Sequence, residues 1–298
     1  MVEGFRSYLK HKVHEIKRLR VGENAFFGLL SKKMNKSTSM INSINFFKPN
    51  ASPLRWVVFA LVLVLGMSDV AWGAVRTASV TGNWNSTATW GGALVPTSSD
   101  DVTVNSGVTV TVDVSTAVCS SININPNGGN NTTATLSFNS GSVLNVTNGL
   151  TLGQNGNSRN GNISMASGGL LKLGTGFTIN AGTITVGVGT IEYSGSSQTI
   201  SSSISSYYNL TLSGSGTKTS GGDISVTKTT NIGSGVTLAM AGFALTTGSL
   251  TGSGTISSAS GTPSLTCGSD STSTSFSGVI GSGAIALTKN GTGTLTLS

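Results

Sequence analysis

"SGSGTKTS" at residues 213–220, "TGSGTISS" at 251–258 and "NGTGTLTLS" at 290–298 repeat one glycine-alternating frame along the chain. A second frame recurs beside it: "SGVTVTV" at 106–112 is echoed by "SGVTLAM" at 234–240. Around these frames, short apolar alternations arrive at intervals of roughly six to fourteen residues. They include "DVTV" (101–104), "SINI" (121–124), "VLNV" (143–146), "LLKL" (170–173), "TITV" (183–186), "TIEY" (190–193), "NLTL" (209–212) and "VTL" (236–238). Each is bounded by Gly, Asn or Ser. A helix needs apolar positions at three- and four-residue spacing over ten or more residues, and the body of the chain has no such window. The body reads as all-β.

Strand length separates the two all-β architectures that remain. Sandwiches and barrels use strands of about five to ten residues joined by hairpin turns. A β-solenoid uses very short strands, small residues at tight corners and approximate self-similarity. Three- to five-residue strands and recurring frames predict a parallel β-helix, with Val, Ile and Leu stacked inward and Ser, Thr and Asn outside. The two cysteines, Cys119 and Cys267, provide a check on this reading. With ~20 residues per coil and ~4.8 Å of rise they lie on the order of 35 Å apart, far beyond the ~7 Å that a disulfide spans. They are expected to be separate small apolar residues.

Charge divides the 298 residues in two. Residues 1–56 hold eleven Lys or Arg against Glu3, Glu15 and Glu23. From Ala74 onward six basic residues meet six acids, so the basic balance of the whole belongs to its leader. A neutral body offers no basic face to neutralise phosphates, which sets nucleic-acid binding aside. Both histidines, His11 and His14, also lie in the leader. The body therefore lacks the commonest general base and a favoured metal ligand.

"SPLRWVVFALVLVLGMSDVAWGAV" (52–75) has a positive flank at Arg55, an apolar run from Trp56 to Met67 and small residues ahead of a cut. Ala71 and Gly73 fill the small-residue positions, leaving Ala74 as the new N-terminus. This is the anatomy of a secretory signal peptide. The apolar run of about twelve residues falls short of the ~20 that span a bilayer, so no stable membrane span is expected in the mature chain. The preface before it has three readings that the sequence leaves open: a basic amphipathic helix, an extended signal region, or a start taken upstream of Met34 or Met40.

Three stretches resemble secreted, repeat-rich bacterial surface proteins. "VTGNWNSTATWGGALVPTSSDDVTVNSGVTVTVD" (80–113) resembles an N-terminal module of such exoproteins through Gly82, Trp84, Thr89, Trp90, Pro96, Asp100 or Asp101, Val102, Val104 and Asp113. Residues 189–256 resemble a β-strand repeat in which a Tyr-Asn-Leu segment precedes a glycine turn and an "SGVTL" coil. "FSGVIGSGAIALTKNGTGTLTLS" (276–298) closely resembles the autotransporter-associated β-strand repeat, also called the passenger-associated transport repeat. Its marks stand at Phe276–Ile280, Leu287–Lys289 and Gly291–Ser298. The resemblance implies a right-handed parallel β-helix in an exported passenger, handled by export machinery. The chain departs from the family pattern in carrying neither a C-terminal translocator barrel nor a sorting domain, so the export route stays open.

The expected organisation is a basic leader over 1–55, a signal peptide over 56–73 and an N-terminal β module or cap over 74–126. A β-strand repeat solenoid over 127–270 and the transport-type repeat over 271–298 follow. An uncapped apolar strand at Leu295–Leu297 would expose its edge to pairing, so more protein is expected after Ser298.

Several stretches admit a sharper reading beside a plain one. The glycine-rich frame at 213–220 lacks the Gly-Lys pair of a phosphate loop and reads as a solenoid corner. "GGD" at 221–223 occurs once, whereas calcium-binding coils repeat their glycine-aspartate pattern. Neither a metal nor a cofactor is expected. Trp84 and Trp90 read as a cap over the open end of the core, with sugar stacking as their other use. The alternating threonines Thr109/Thr111, Thr183/Thr185 and Thr294/Thr296 suggest a flat ice- or crystal-binding face, but irregular spacing argues against the strict register this needs. The expectation is a secreted or cell-surface, non-catalytic, adhesin-like or structural β-helical passenger, with surface glycans or other surface components as partners. The alternative is a carbohydrate-active β-helix enzyme or glycan-binding module. Such enzymes need carboxylates on one face, and adjacent Asp100 and Asp101 point to opposite sides of a strand.

Overall fold

The computed structural model describes residues 73–127, 132–154 and 159–298. The expected leader (1–55) and signal peptide (56–73) lie outside these residues, except for Gly73. Among the described residues every paired strand in the sheets runs parallel to its neighbours. The chain winds as a parallel β-helix in which successive coils stack strand on strand.

The first coils have three sheet faces. Face I stacks Val75–Ala78, Asp101–Val104, Ser121–Ile124, Leu150–Leu152 and Phe177–Ile179. Face II stacks Gly82–Asn83, Thr109–Val112, Thr133–Phe138, Asn160–Ser164 and Ile184–Thr185. Face III begins at Ala117–Cys119 and continues through Val143–Val146, Leu170–Leu173, Thr190–Tyr193 and Asn209–Leu212 to Ile224–Ile232. The next strand, Leu245–Gly252, pairs with it across a register shift between Val226 and Thr229, and there the sheet forks into Ser264–Cys267 and Thr274–Phe276. The arm from Ile224 carries Leu245, Leu265 and Leu287 in turn, while the arm ending at Ile232 carries Gly252, Phe276 and Leu297. Face IV, made of Gln198–Ile200, Gly216–Ser220, Val236–Ala239, Thr255–Ser257 and Val279–Ser282, supplies the third side of the later coils.

Coil length changes along the stack. Val143 pairs with Leu170, a step of 27 residues, whereas Leu170 pairs with Thr190, a step of 20. On face III the ~20-residue coil expected from the sequence thus holds from Leu170 to Leu265, and the coils before it carry longer corners. Registry survives the change because the ladder constrains only the strands. Strands alternate buried and half-buried residues, as in Thr109–Val112 and Ser121–Ile124. The buried set forms one apolar column that includes Val110, Leu136 and Ile163 on face II and Leu144, Leu171, Ile191 and Leu210 on face III. The two "SGV" frames act alike: Gly107 and Gly235 take φ of 76° and 75°, left-handed turns that deliver the next strand.

A cap closes the first coil. A short 3₁₀ turn, Thr87–Trp90, packs on Val75–Ala78 and Gly82–Asn83, which begin faces I and II. The Trp84 and Trp90 rings meet edge to face at 5.2 Å, and both are buried. Trp90 Nε1 donates to the Trp84 carbonyl at 2.8 Å, and Thr89 Oγ1 donates to the Asn83 carbonyl at 2.8 Å. A Cβ on Gly82 would fall 2.4 Å from Thr89 Oγ1, which is why the motif begins with glycine. Asp113 accepts the Asn85 amide and ties the cap to the second strand of face II.

A polar seam marks the handover between sheets. Face I ends at Phe177–Ile179, and face IV begins one coil later at Gln198–Ile200. Buried side chains reach backbone carbonyls there, some of which, like those of Leu173 and Gly195, also accept a backbone amide from the next coil. Gln198 Nε2 donates to the Leu173 and Thr175 carbonyls at 2.8 Å each, and its Oε1 accepts the Gly195 amide at 2.7 Å. Lys218 pairs in register with Gln198 and is fully buried. Its Nζ donates to the carbonyls of Gly195, Ser196 and Ser215. Burial lowers the Lys218 ammonium below the usual lysine value. Tyr193 and Tyr207 join hydroxyl to hydroxyl at 3.0 Å, Tyr193 Oη accepts the Ser201 amide, and burial raises both phenols. The frame at 213–220 is therefore no simple corner, since its second half is the strand Gly216–Ser220 with lysine turned into the column. The frame at 251–258 likewise joins face IV, whereas the one at 290–298 pairs with Thr274–Phe276 on the forked sheet.

Cys119 and Cys267 are buried free thiols on one continuous sheet, separated by six intervening strands. At about 4.8 Å per strand they lie about 34 Å apart. Both thiols should stay inert to an aromatic disulfide reagent in the folded protein and react only after denaturation. Native reactivity would mean the column is open there. Lys218→Met should lower stability by about 1–3 kcal/mol through the unmet carbonyls, seen as a lower denaturant midpoint at unchanged slope. An unchanged midpoint would mean that those carbonyls are solvated.

Candidate functional site

The in-register ladder sets the outward side chains in columns. On face II one column runs Asn83, Thr111, Ser137, Ser164 and Thr185. The neighbouring column contains Thr109, Thr135 and Asn162, extended by Thr81 and Thr183. Thr81 Oγ1 accepts the Thr109 amide at 3.0 Å, and the Thr183 amide and hydroxyl donate to Asn162 Oδ1 at 3.1 and 3.3 Å. Thr111 and Ser137 are hydroxyl-bonded at 2.9 Å. These ten positions carry no charge and are exposed or half-buried. Strand geometry places columns about 7 Å apart and rows about 4.8 Å apart.

The register corrects the expectation drawn from irregular spacing. Thr109/Thr111 and Thr183/Thr185 do share the two columns of face II, because corners of different length absorb the irregularity. Thr296 lies elsewhere, opposite Ser275.

The other faces repeat the chemistry. Face I presents Thr77, Thr103, Asn123, Thr151 and Thr178 in one row. Face IV presents Thr217, Thr237 and Thr255. Face III presents Asn145, Lys172, Glu192, Thr211, Asn231 and Thr251. Its charges neutralise each other: Lys172 Nζ lies 3.1 Å from Glu192 Oε1, which also accepts the Ser213 hydroxyl at 2.5 Å.

The acids are spread over different parts of the coil. Asp101 points outward and accepts the Ser121 hydroxyl at 2.7 Å. Asp223, in the "GGD" segment, accepts the Ala244 amide at 2.9 Å, and Asp270 accepts the Thr272 amide at 3.0 Å. Among the described residues no three His, Cys, Asp or Glu side chains gather as a metal site would require. The tryptophans belong to the cap; Tyr207 is buried, and Tyr208 is partly buried against the core. No helix among the described residues is long and apolar enough to cross a membrane.

The cleavage candidates Gly73 and Ala74 open the described chain beside Asp100. The Ala74 amide donates to Asp100 Oδ1 at 2.7 Å, and the Ala74 carbonyl accepts the Asp101 amide at 3.0 Å. Asp100 Oδ2 accepts the Thr97 amide and hydroxyl at 2.9 Å each and Arg76 Nε at 3.3 Å. Burial raises its pKa, but these donors outweigh it, and the carboxyl sits below the usual aspartate value. Of the two acids that could fill the motif position, Asp100 is the buried one and holds the first coil together. Sequence reasoning missed this role, as it missed the inward Lys218 and Gln198. No family model, curated protein or solved structure matches the chain.

Proposed function

We propose that the protein is a non-catalytic, adhesin-like structural rod, exported to the cell surface or beyond, whose outward hydroxyl and amide columns bind uncharged surface glycans. The observation that carries this reading is the double column on face II, ten neutral polar side chains held in register by the ladder. Each such group offers a weak, directional hydrogen bond. Many at fixed spacing bind together what each binds poorly, because the backbone has already ordered them. The autotransporter-type repeat at 276–298 and the signal-peptide pattern at 56–73 support export.

The reading is tested with the full chain expressed in a secreting bacterium. The protein should appear on the surface or in the medium, and coated beads should adhere to an insoluble neutral polysaccharide. Adhesion should change little between about 0.15 M and about 1 M salt, since screening acts on charges. The pair Thr111→Lys and Ser164→Lys should abolish adhesion while leaving the β-sheet circular dichroism intact. Adhesion that collapses with salt, or that survives both lysines, defeats face II as the binding surface. Release of reducing ends from the polysaccharide would favour the enzyme alternative.

A further inference from the structure

We propose that Asp100 is the receptor for a free α-ammonium group at Ala74, created by hydrolysis of the Gly73–Ala74 bond, so that removing the leader locks the first coil. The inference rests on the export reading above and adds to it a link between processing and folding.

The Asp100 carboxylate, only 3% exposed, divides its oxygens unequally. Oδ2 is occupied by both donors of Thr97 and by Arg76. Oδ1 receives the Ala74 nitrogen, at 2.7 Å. One oxygen of a buried carboxylate is thus turned to the nitrogen that cleavage would free. As an amide this nitrogen brings one hydrogen and no charge. As an ammonium it brings three hydrogens and a full positive charge, and charge-assisted bonds are roughly twice as strong as neutral ones.

Gly73 supplies the second observation. A Cβ there would fall 1.6 Å from the Ser99 carbonyl oxygen, so Gly73 sits in a gap beside Ser99 that only glycine fits. The same small residue is what an endopeptidase of small-residue specificity requires beside the bond it cuts. The new terminus does not move far, because the Ala74 carbonyl is already held by the Asp101 amide. The chemistry is hydrolysis: the Gly73–Ala74 C–N bond breaks, the oxygen of one water completes the Gly73 carboxylate, and both of its hydrogens pass to the Ala74 nitrogen, which becomes the ammonium. The hydrolase is an endopeptidase of the export route.

The charged groups around the pair are few. Arg76 on Val75–Ala78 shares the carboxylate, and Asp101 on the next strand faces outward to Ser121. The strand Ser121–Ile124, the 3₁₀ turn Thr87–Trp90 and residues 91–99 bring no titratable side chain, and the buried Cys119 thiol near Asp101 is pushed up by burial and stays neutral over the range tested. A free α-amino group titrates near about 7.7–8.0, and pairing with a buried carboxylate raises it. A base whose folded value is raised contributes its full stabilisation below the unfolded value. That contribution is lost as pH climbs through the folded value. The uncut chain has only an amide at Ala74, which does not titrate.

The full chain is expressed in a secreting bacterium, and the N-terminus of the exported protein is read by mass spectrometry. Thermal unfolding is then followed from about pH 7 to about pH 10. The exported wild type, exported Asp100→Asn and leader-retaining wild type made without export are compared. We expect an N-terminus at Ala74 and a falling melting temperature for the exported wild type as pH rises. The gap to Asp100→Asn should narrow at alkaline pH, and the leader-retaining protein should show no such fall. Should Asp100→Asn fail to fold, competitive acetylation of the wild-type amine against pH decides instead. A raised pKa supports the pairing, and a freely reactive amine with an ordinary pKa overturns it. A terminus elsewhere, or a gap independent of pH, also overturns it. Exported protein that adheres but begins elsewhere sinks this proposal alone, whereas a chain retained in the cell sinks the export reading with it.

Discussion

The hydrogen-bonded ladder between successive coils is the constraint on which everything else in this molecule depends. Each strand is three to nine residues in most of the stack and would not persist alone. It persists because the strands above and below satisfy its amides and carbonyls. That pairing fixes which side chains enter the column and which leave it. The inward set is apolar with few exceptions, and the outward set is Thr, Ser and Asn with little charge. A charged outward row would place like charges about 4.8 Å apart, which is unfavourable for directly opposed strand residues. The neutral composition of the body is therefore a product of the stacking geometry.

The ladder also explains the seam. Where one sheet gives way to another, the carbonyls of Thr175, Ser196 and Ser215 accept from side chains, and an unmet buried carbonyl is costly. Gln198 and Lys218 supply the donors there. Both long side chains lie in register with each other and reach carbonyls from different turns. The paired phenols of Tyr193 and Tyr207 fill the neighbouring volume and anchor the backbone at Ser201. The cap follows the same logic at the opening coil, where two indoles and a 3₁₀ turn cover what a preceding coil would otherwise cover.

Much of this was legible in the sequence, and the reasons for the rest are specific. "DVTV", "SINI", "VLNV", "LLKL", "TIEY" and "NLTL" coincide with observed strands, because period-two alternation between glycines is a strong local signal. The free, distant cysteines followed from coil arithmetic. Gln198–Ile200 and Gly216–Ser220 were hidden, since a polar residue at an inward position breaks the alternation that identifies a strand. The shared face of Thr109/Thr111 and Thr183/Thr185 was hidden for a different reason. Register is a property of pairing, and sequence spacing includes corner residues that pairing ignores. Asp100 could not be separated from Asp101 because local sequence does not show which of two adjacent acids turns inward.

The shift from coils of 27 residues to coils of 20 with no loss of register has an evolutionary meaning. Corners can gain or lose residues without moving any hydroxyl on a face relative to its neighbours. The lattice of outward groups is thus inherited from backbone spacing, while the girth of each coil is free to vary. Insertions at a corner lengthen that corner and leave the ladder in place, so a corner is where new chemistry can be tried without disturbing the array. Such a chain can diverge in sequence until little similarity remains, and still present the same ruled surface.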